Sequence, residues 1–302
     1  MKKGAVSKVD YDNYDTSKMI KTSKPLKLED LGLRLPNDPP TQINIWTDLE
    51  GLVDDQLNLQ VKMQFKHHHQ FMLNSGLNKC SSVIDLGTGN GTFLHELAKA
   101  HPKISFIGVD NQAHMISKTK CVQTDNVKCL IGDVNNPQAI QGIGNVDGVL
   151  MRYILLHMND TSKALSNLHK VLKKNTRLWI IDLDLEHYVC NPPHEAFELI
   201  KRLVKRFCDE HGRDSNVGSK LITILKKAGF RSIEQKIEPL NTETVDIAML
   251  QKFIIQEVIV YRAALENAVT DEEFEKIKTF IDELPNSGTS LNYGVTLVSS
   301  IK

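Results

Sequence analysis

At 302 residues, 41% hydrophobic and 25% charged, the chain carries enough apolar material for one large packed domain or two small ones. Lys+Arg and Asp+Glu both number 37, which excludes a whole-molecule field that would draw in nucleic acid or an anionic membrane and leaves only local patches. The five cysteines, Cys80, Cys121, Cys129, Cys190 and Cys208, are odd in number and form no C-x-x-C pair, which argues against a disulfide framework or structural zinc and for a reducing compartment.

Residues 1–40 are polar, rich in Lys, Asp and Tyr, and end in "LPNDPP", so a loosely ordered arm is expected there. The start, "MKKGAVSKVDYDNYDTSK", is charged but no apolar run follows it, and no segment nears the ~20 apolar residues of a membrane span. A cytoplasmic chain without membrane contact is the expectation. Over 41–78, Leu49, Leu52, Leu57, Leu59, Val61, Met63, Phe65, Phe71 and Met72 fall on imperfect helical spacing, predicting a cap of one or two helices that stops at Gly76. The cap contains His67, His68 and His69. Consecutive helical residues point about 100° apart and cannot converge on one ion, so a helix surface near a substrate entrance is expected rather than a metal site.

Apolar runs of strand length then alternate with amphipathic stretches. "SVIDL", "ISFIGV", "VKCLIG", "VDGVLM" and "RLWIIDLDL" read as strands; "TFLHELAKAH" and "SKALSNLHKVLKK" read as helices between them. Continuous apolar strands separated by helices signal a parallel sheet covered on both faces, and right-handed crossovers favour a doubly wound α/β core over 79–241.

After Cys190 the sequence turns helical. In "KRLVKR", Lys201, Arg202, Lys205 and Arg206 share one helical side opposite Phe197, Ile200, Val204 and Phe207; a solvated face is the plain reading, and it is also the first place to look for RNA contact. "FRSIEQKIEPL" reads as a strand. A helical insert or lid follows over 242–285, and its 245–266 helix is apolar on more than one stripe, so it packs in the core, over the active site, or against a second subunit. Residues 286–302 alternate like a final strand returning to the sheet as an edge.

Three glycines, Gly87, Gly89 and Gly91, stand where the first strand hands over to its helix. Ligands of open parallel sheets bind beyond the strand carboxyl ends, and glycine there lets a ligand lie against bare main chain. A dinucleotide fingerprint would need glycine or alanine where Thr92 stands, which disfavours an NAD-dependent dehydrogenase, and a P-loop would need a lysine that "GNGTF" lacks.

The arrangement Asp-x-Gly-x-Gly-x-Gly resembles motif I of the class I S-adenosylmethionine-dependent methyltransferases. The resemblance continues with Asp110 closing the second strand, Asp133 after the third, "VDGVLMRYILLHMND" as fourth strand and following loop, and "ALSNLHKVLKKNTRLWIIDLD" as helix and fifth strand; "KKNTR" departs from the family's usual Lys-Pro-Gly-Gly turn. More faintly, residues beyond 211 look like a bacterial small-molecule branch with helices inserted before the last strand. The resemblance implies a doubly wound, mostly parallel seven-stranded sheet and S-adenosylmethionine as cofactor, with S-adenosylhomocysteine as product. It implies cofactor contacts from Asp85, Gly87, Thr88, Gly89, Asn90, Gly91, Asp110, Asn111, Met115, Gly132, Asp133, Val134, Met151 and Arg152. Among these, Asp85 would hold the ammonium through water, Asp110 the ribose hydroxyls, and Asp133 with Val134 the adenine.

Arg152 either meets cofactor or substrate or pairs with a carboxylate; His157 is either a general base or a hydrogen-bonded structural residue. The loop after the fourth strand, "MRYILL", lacks the Asn/Asp-Pro-Pro-Tyr/Phe signature of nucleobase-amino and glutamine methyltransferases. A small-molecule acceptor is therefore expected, held between the cap, the insert and the cofactor. Modification of protein or RNA, a non-catalytic cofactor-binding protein, and a homodimer through the 245–266 helix stay open as other readings.

Overall fold

A computed structural model describes residues 49–118, 124–140, 142–158, 160–242 and 244–302. The arm expected over 1–40, the first part of the cap and Cys121 lie outside these. Helix α1 (Glu50–Asn74) opens the described chain, followed by β1 (Ser82–Leu86), α2 (Thr92–Ala100), β2 (Ser105–Asp110), α3 (Ala113–Lys118), β3 (Val127–Ile131) and β4 (Gly148–Arg152). Then come α4 (Thr161–Val171), β5 (Arg177–Leu183), β6 (Val189–Asn191), α5 (Glu195–Glu210), α6 (Val217–Ala228), β7 (Arg231–Asn241), α7 (Ile247–Ala264), α8 (Asp271–Glu283) and β8 (Ser290–Ile301).

The eight strands of the described residues form one sheet, in which β3, β2, β1, β4 and β5 are neighbours in that order and all parallel. Strand β8 runs antiparallel to β5, β6 and β7. This is a Rossmann-like, mostly parallel sheet with one strand more than the seven expected. The additional strand, β6, spans three residues and gives no periodic signal in the sequence. The final strand is not an edge: residues 295–301 pair with β5 on one side and β7 on the other, and β8 is buried along nearly its whole length.

Side-chain alternation sorts the core onto the two faces of the sheet. Val83, Leu150, Trp179 and Ile181 pack with α1, α2, α5, α7 and α8, whereas Ile84, Leu86, Val149, Leu178 and Ile180 pack with α4 and α6. Helix α7 is buried around its circumference, Leu250, Phe253, Ile254, Ile255, Val258, Ile259 and Val260 all being inside. Its apolar stripes are therefore covered within the chain, which is the first of the readings the sequence left open for that helix. Among the described residues, no helix is long and apolar enough to cross a membrane.

The basic face of α5 is also engaged. Arg202 pairs with Glu273 at 2.6 Å, Lys205 with Asp209 at 2.6 Å and Arg206 with Glu210 at 2.5 Å, and Arg206 also donates to the Glu266 and Asn267 carbonyls. The histidine triplet departs from a simple surface: only His67 faces out, paired with Glu238 at 2.6 Å, while His68 and His69 are buried. Among the described residues, no group of His, Cys, Asp and Glu is placed to hold a metal ion.

One stability prediction follows from β8. A Cβ added at Gly294 would run into the His187 side chain and backbone. Overpacking of this kind costs about 1–3 kcal/mol, so Gly294→Ala should lower the melting temperature by several degrees in a calorimetric scan. An unchanged melting temperature would show that the turn carrying His187 yields freely.

Candidate active site

Strand order reverses between β1, whose chain continues through α2 to β2, and β4 on its other side. Crevices of this kind, beyond the strand carboxyl ends, are where open α/β sheets bind ligands. A cavity of about 320 Å³ opens here, lined by Gly87, Thr88, Gly89 and Asn90 after β1, Asp110, Asn111 and Gln112 after β2, Val134 and Asn135 after β3, and Arg152 to Ile154 after β4. Leu57 and Val61 of α1 close it from above, and Met115, His157, Met158 and Arg213 complete the wall.

All three glycines of the turn have positive φ, 80° at Gly87, 58° at Gly89 and 73° at Gly91. Such values are strained for any residue with a Cβ, which is why the sequence needs three glycines in five residues. The turn is pinned from below, Gly87 and Thr88 both donating their N–H to the Val109 carbonyl at 2.8 and 2.9 Å. Thr92, the residue that breaks the dinucleotide fingerprint, donates its hydroxyl to Asn58 at 2.7 Å and so ties the start of α2 to α1.

Asp85 ends buried beneath this turn. One carboxylate oxygen accepts the Thr88 hydroxyl at 2.8 Å; the other, Oδ1, is buried without a partner. Burial pushes its carboxyl up to about 6, against the opposing pull of Thr88 and the Arg152 guanidinium. At the rim, Asp110 accepts the Gly89 N–H through Oδ2 and the Gln112 N–H through Oδ1, each at 2.9 Å. Each carboxylate oxygen retains a lone pair for a further donor.

Arg152 lies in an aromatic sleeve, its guanidinium 4.7 Å from the Phe93 ring centre and 4.6 Å from that of Tyr153. Its Nε donates to His68 Nδ1 at 3.3 Å, and one Nη is buried without a partner. Tyr153 itself has φ of 52° and donates its hydroxyl to Gln64 of α1 at 2.8 Å. A non-glycine residue held at positive φ stores strain, and such positions cluster at functional sites. His157 Nδ1 faces Arg213 Nη1 at 3.2 Å, and burial together with that guanidinium holds the imidazole down to about 3. The turn carrying it is fixed by the buried Asp182, whose Oδ2 accepts the Leu155 N–H at 2.8 Å.

Of the residues expected at the site, Gly87, Thr88, Gly89, Asn90, Asp110, Asn111, Met115, Val134, Arg152 and His157 line the cavity; Asp85 and Gly91 belong to the glycine turn but not to the cavity wall, and three others differ. Met151 points into the opposite core with Ile180 and Leu165 and does not line the cavity. Gly132 is required by packing, since a Cβ there would press on Val109 and Ile140. Asp133 is exposed and spends Oδ1 on the Asn135 backbone and side-chain N–H groups at 2.8 and 2.9 Å, while Val134 and Asn135 face the cavity. The sequence alone did not single out Tyr153 or Arg213. Tyr153 adjoins the end of an apolar strand and was findable from position alone, whereas Arg213 comes from the loop between α5 and α6 with no motif around it.

This fold, with a bare glycine turn over a buried acid and a second acid at the end of β2, defines the class of nucleoside-cofactor methyltransferases. A family profile described as a methyltransferase domain matches residues 77–249, more than half of the chain, and the chain belongs to that family. It is 28% identical over 207 residues to carboxy-S-adenosyl-L-methionine synthase of Nautilia profundicola, a match covering 62% of this chain and 86% of that protein. It is also 28% identical over 167 residues to O-methyltransferase 12 of Dictyostelium discoideum, covering 52% of this chain and 42% of that one. Across several curated relatives the chain spans about half of their length. A crystal structure from Bacillus halodurans C-125, described as a methyltransferase, superposes with a TM-score of 0.52 at 18% identity over 78% of this chain and 99% of its own, a likeness of fold.

The family's cofactor, S-adenosylmethionine, fits the residues present. The unpartnered Asp85 oxygen suits an ammonium, the Asp110 carboxylate suits vicinal hydroxyls, and the turn from Gly87 to Gly91 leaves no side chain between the cofactor and the main chain.

Proposed function

We propose that the protein is an S-adenosylmethionine-dependent methyltransferase acting on a small-molecule acceptor. The observation carrying this reading is the buried, unpartnered Asp85 oxygen under a left-handed glycine turn that opens into the cavity. Asp85 would anchor the ammonium, Asp110 the ribose, Val134 and Asn135 the adenine, and Met115 the apolar side of the base. When bound, the cofactor supplies a sulfonium leaving group, so transfer is an in-line displacement at its methyl carbon. The chain's work is to align the acceptor and exclude water. Leu57 and Val61 of α1 shield the cavity, and Arg152, locked between two rings, has an unpartnered Nη available to a carboxylate or other acceptor group.

General-base action by His157 has little support: an imidazole held down to about 3 is a weak proton acceptor at neutral pH. Its contact with Arg213 favours a structural part, ordering the floor of the cavity.

A small-molecule acceptor is favoured by a second, smaller cavity of about 80 Å³ between α1 and α7, which shares Leu57, Tyr153 and His157 with the first. The RNA or protein alternative draws less support, because the cations of α5 already have carboxylate partners. Calorimetric titration of the full chain should give micromolar binding of S-adenosylmethionine and S-adenosylhomocysteine and none of NAD. Tight NAD binding without sulfonium binding would refute the proposal.

A further inference from the structure

The smaller cavity has a chemistry of its own. Its walls are Val53, Leu57, Leu156, Leu183 and Val260 with the rings of Tyr153 and Tyr261, an apolar and aromatic lining. Four polar side chains interrupt it, Gln56 and Gln60 from α1, His157 after β4, and Glu257 from α7. Gln60 is 8% and Glu257 2% exposed, and Gln60 Oε1 and Glu257 Oε2 are both buried without a hydrogen-bond partner. The other Glu257 oxygen is met only by the Tyr261 hydroxyl, at a long 3.5 Å.

An unpaired buried acceptor costs about 1–3 kcal/mol, and such groups are rare enough in folded proteins to call for an explanation. Two in one cavity, both acceptors and on different helices, are not accounted for by packing. A leucine at either position would fill similar space without that cost. A ligand with hydrogen-bond donors would account for both.

We infer that this cavity selects an acceptor with an apolar, preferably aromatic body whose head, a hydroxyl or an amine, donates hydrogen bonds to Glu257 and Gln60. The inference rests on the methyltransferase reading, since the shared Leu57, Tyr153 and His157 put that head beside the cofactor cavity. Burial raises the Glu257 carboxyl to about 8, so at neutral pH the empty pocket holds a neutral acid, whose carbonyl oxygen and the Gln60 Oε1 are acceptors and whose O–H is a donor.

The test uses the full chain saturated with S-adenosylhomocysteine and three probes of similar shape, p-cresol, phenethylamine and toluene, titrated by calorimetry. At least one donor-bearing probe should bind tenfold or more tightly than toluene; preference for the cresol marks a hydroxyl acceptor and preference for phenethylamine an amine. Glu257→Leu should erase that preference while leaving S-adenosylhomocysteine binding intact, and Gln60→Leu should weaken it and serves if the first variant does not fold. Toluene binding as well as the donors, a preference that survives both substitutions, or no probe binding while S-adenosylhomocysteine binds normally would each overturn the inference and leave the cofactor reading standing. Loss of S-adenosylhomocysteine binding by the unmodified chain would instead sink the reading beneath it.

Discussion

Gly89→Val should abolish measurable S-adenosylmethionine binding, a loss of at least 100-fold, while the chain still folds. Gly89 has φ of 58°, a region in which a β-branched residue is a genuine outlier, and its added Cβ would stand 3.3 Å from Leu57 Cδ1 on the wall of the cavity. The branched methyls beyond that Cβ have nowhere to go but the space the cofactor occupies. Relaxing the strain means rotating the peptide whose N–H bonds Asp110 at 2.9 Å, so the carboxylate proposed to hold the ribose loses its aim as well. Strain at one half-buried turn residue is on the order of 1–3 kcal/mol. That should lower the melting temperature by several degrees without unfolding the sheet. Circular dichroism separates the two effects: native secondary structure with lost binding is the expected pair of results. A folded variant with ordinary affinity would remove the glycine turn from the cofactor site.

The α/β core was legible because its signals are local. Five apolar strands, with helical spacing after the first and the fourth, point to a parallel sheet, and the glycine-acid order at the end of β1 marks the crevice. Asp85 and Asp110 could be placed beside the glycine turn because strand ends dictate where their side chains emerge. Illegible features depend on what lies across the fold. That β8 is interior requires knowing that β7 pairs outside it, and an alternating run carries no record of how many neighbours it will have. That His68 and His69 are buried depends on Arg152, Phe93 and His101, which the sequence separates from them by dozens of residues.

The same limit explains the acceptor side. Glu257 occurs in "FIIQEVIVY", where a lone acid in an apolar helix reads as a solvent-facing interruption of the stripe. Only the packing of α7 between its neighbours turns that position inward. Met151 fails in the opposite sense: strand alternation sends Arg152 to the cavity and Met151 to the other face. Applying the two-residue period to β4 beforehand would have separated them.

Asp85 gives the site a pH dependence whose sign can be worked out. Its carboxyl stands at about 6 in the fold against an ordinary 3.8. A raised acid favours folding fully below the unfolded value and loses that contribution as pH rises through about 6. Keeping Asp85 ionised at pH 7 in the empty protein therefore costs about 3 kcal/mol, at about 1.4 kcal/mol per unit. Asp85→Asn should melt higher than the parent at pH 7, and the difference should vanish near pH 4. Binding runs the other way. A cofactor ammonium favours the carboxylate, so affinity for S-adenosylmethionine should fall about tenfold per pH unit below 6 in the parent. In Asp85→Asn it should be weak and flat between pH 5 and 7. At pH 6, calorimetry in buffers of different ionisation enthalpy should register proton release on binding by the parent and none by the variant. Parallel pH profiles for the two proteins would mean that this acid does not meet the cofactor's charge, and that its unpartnered oxygen serves some other group.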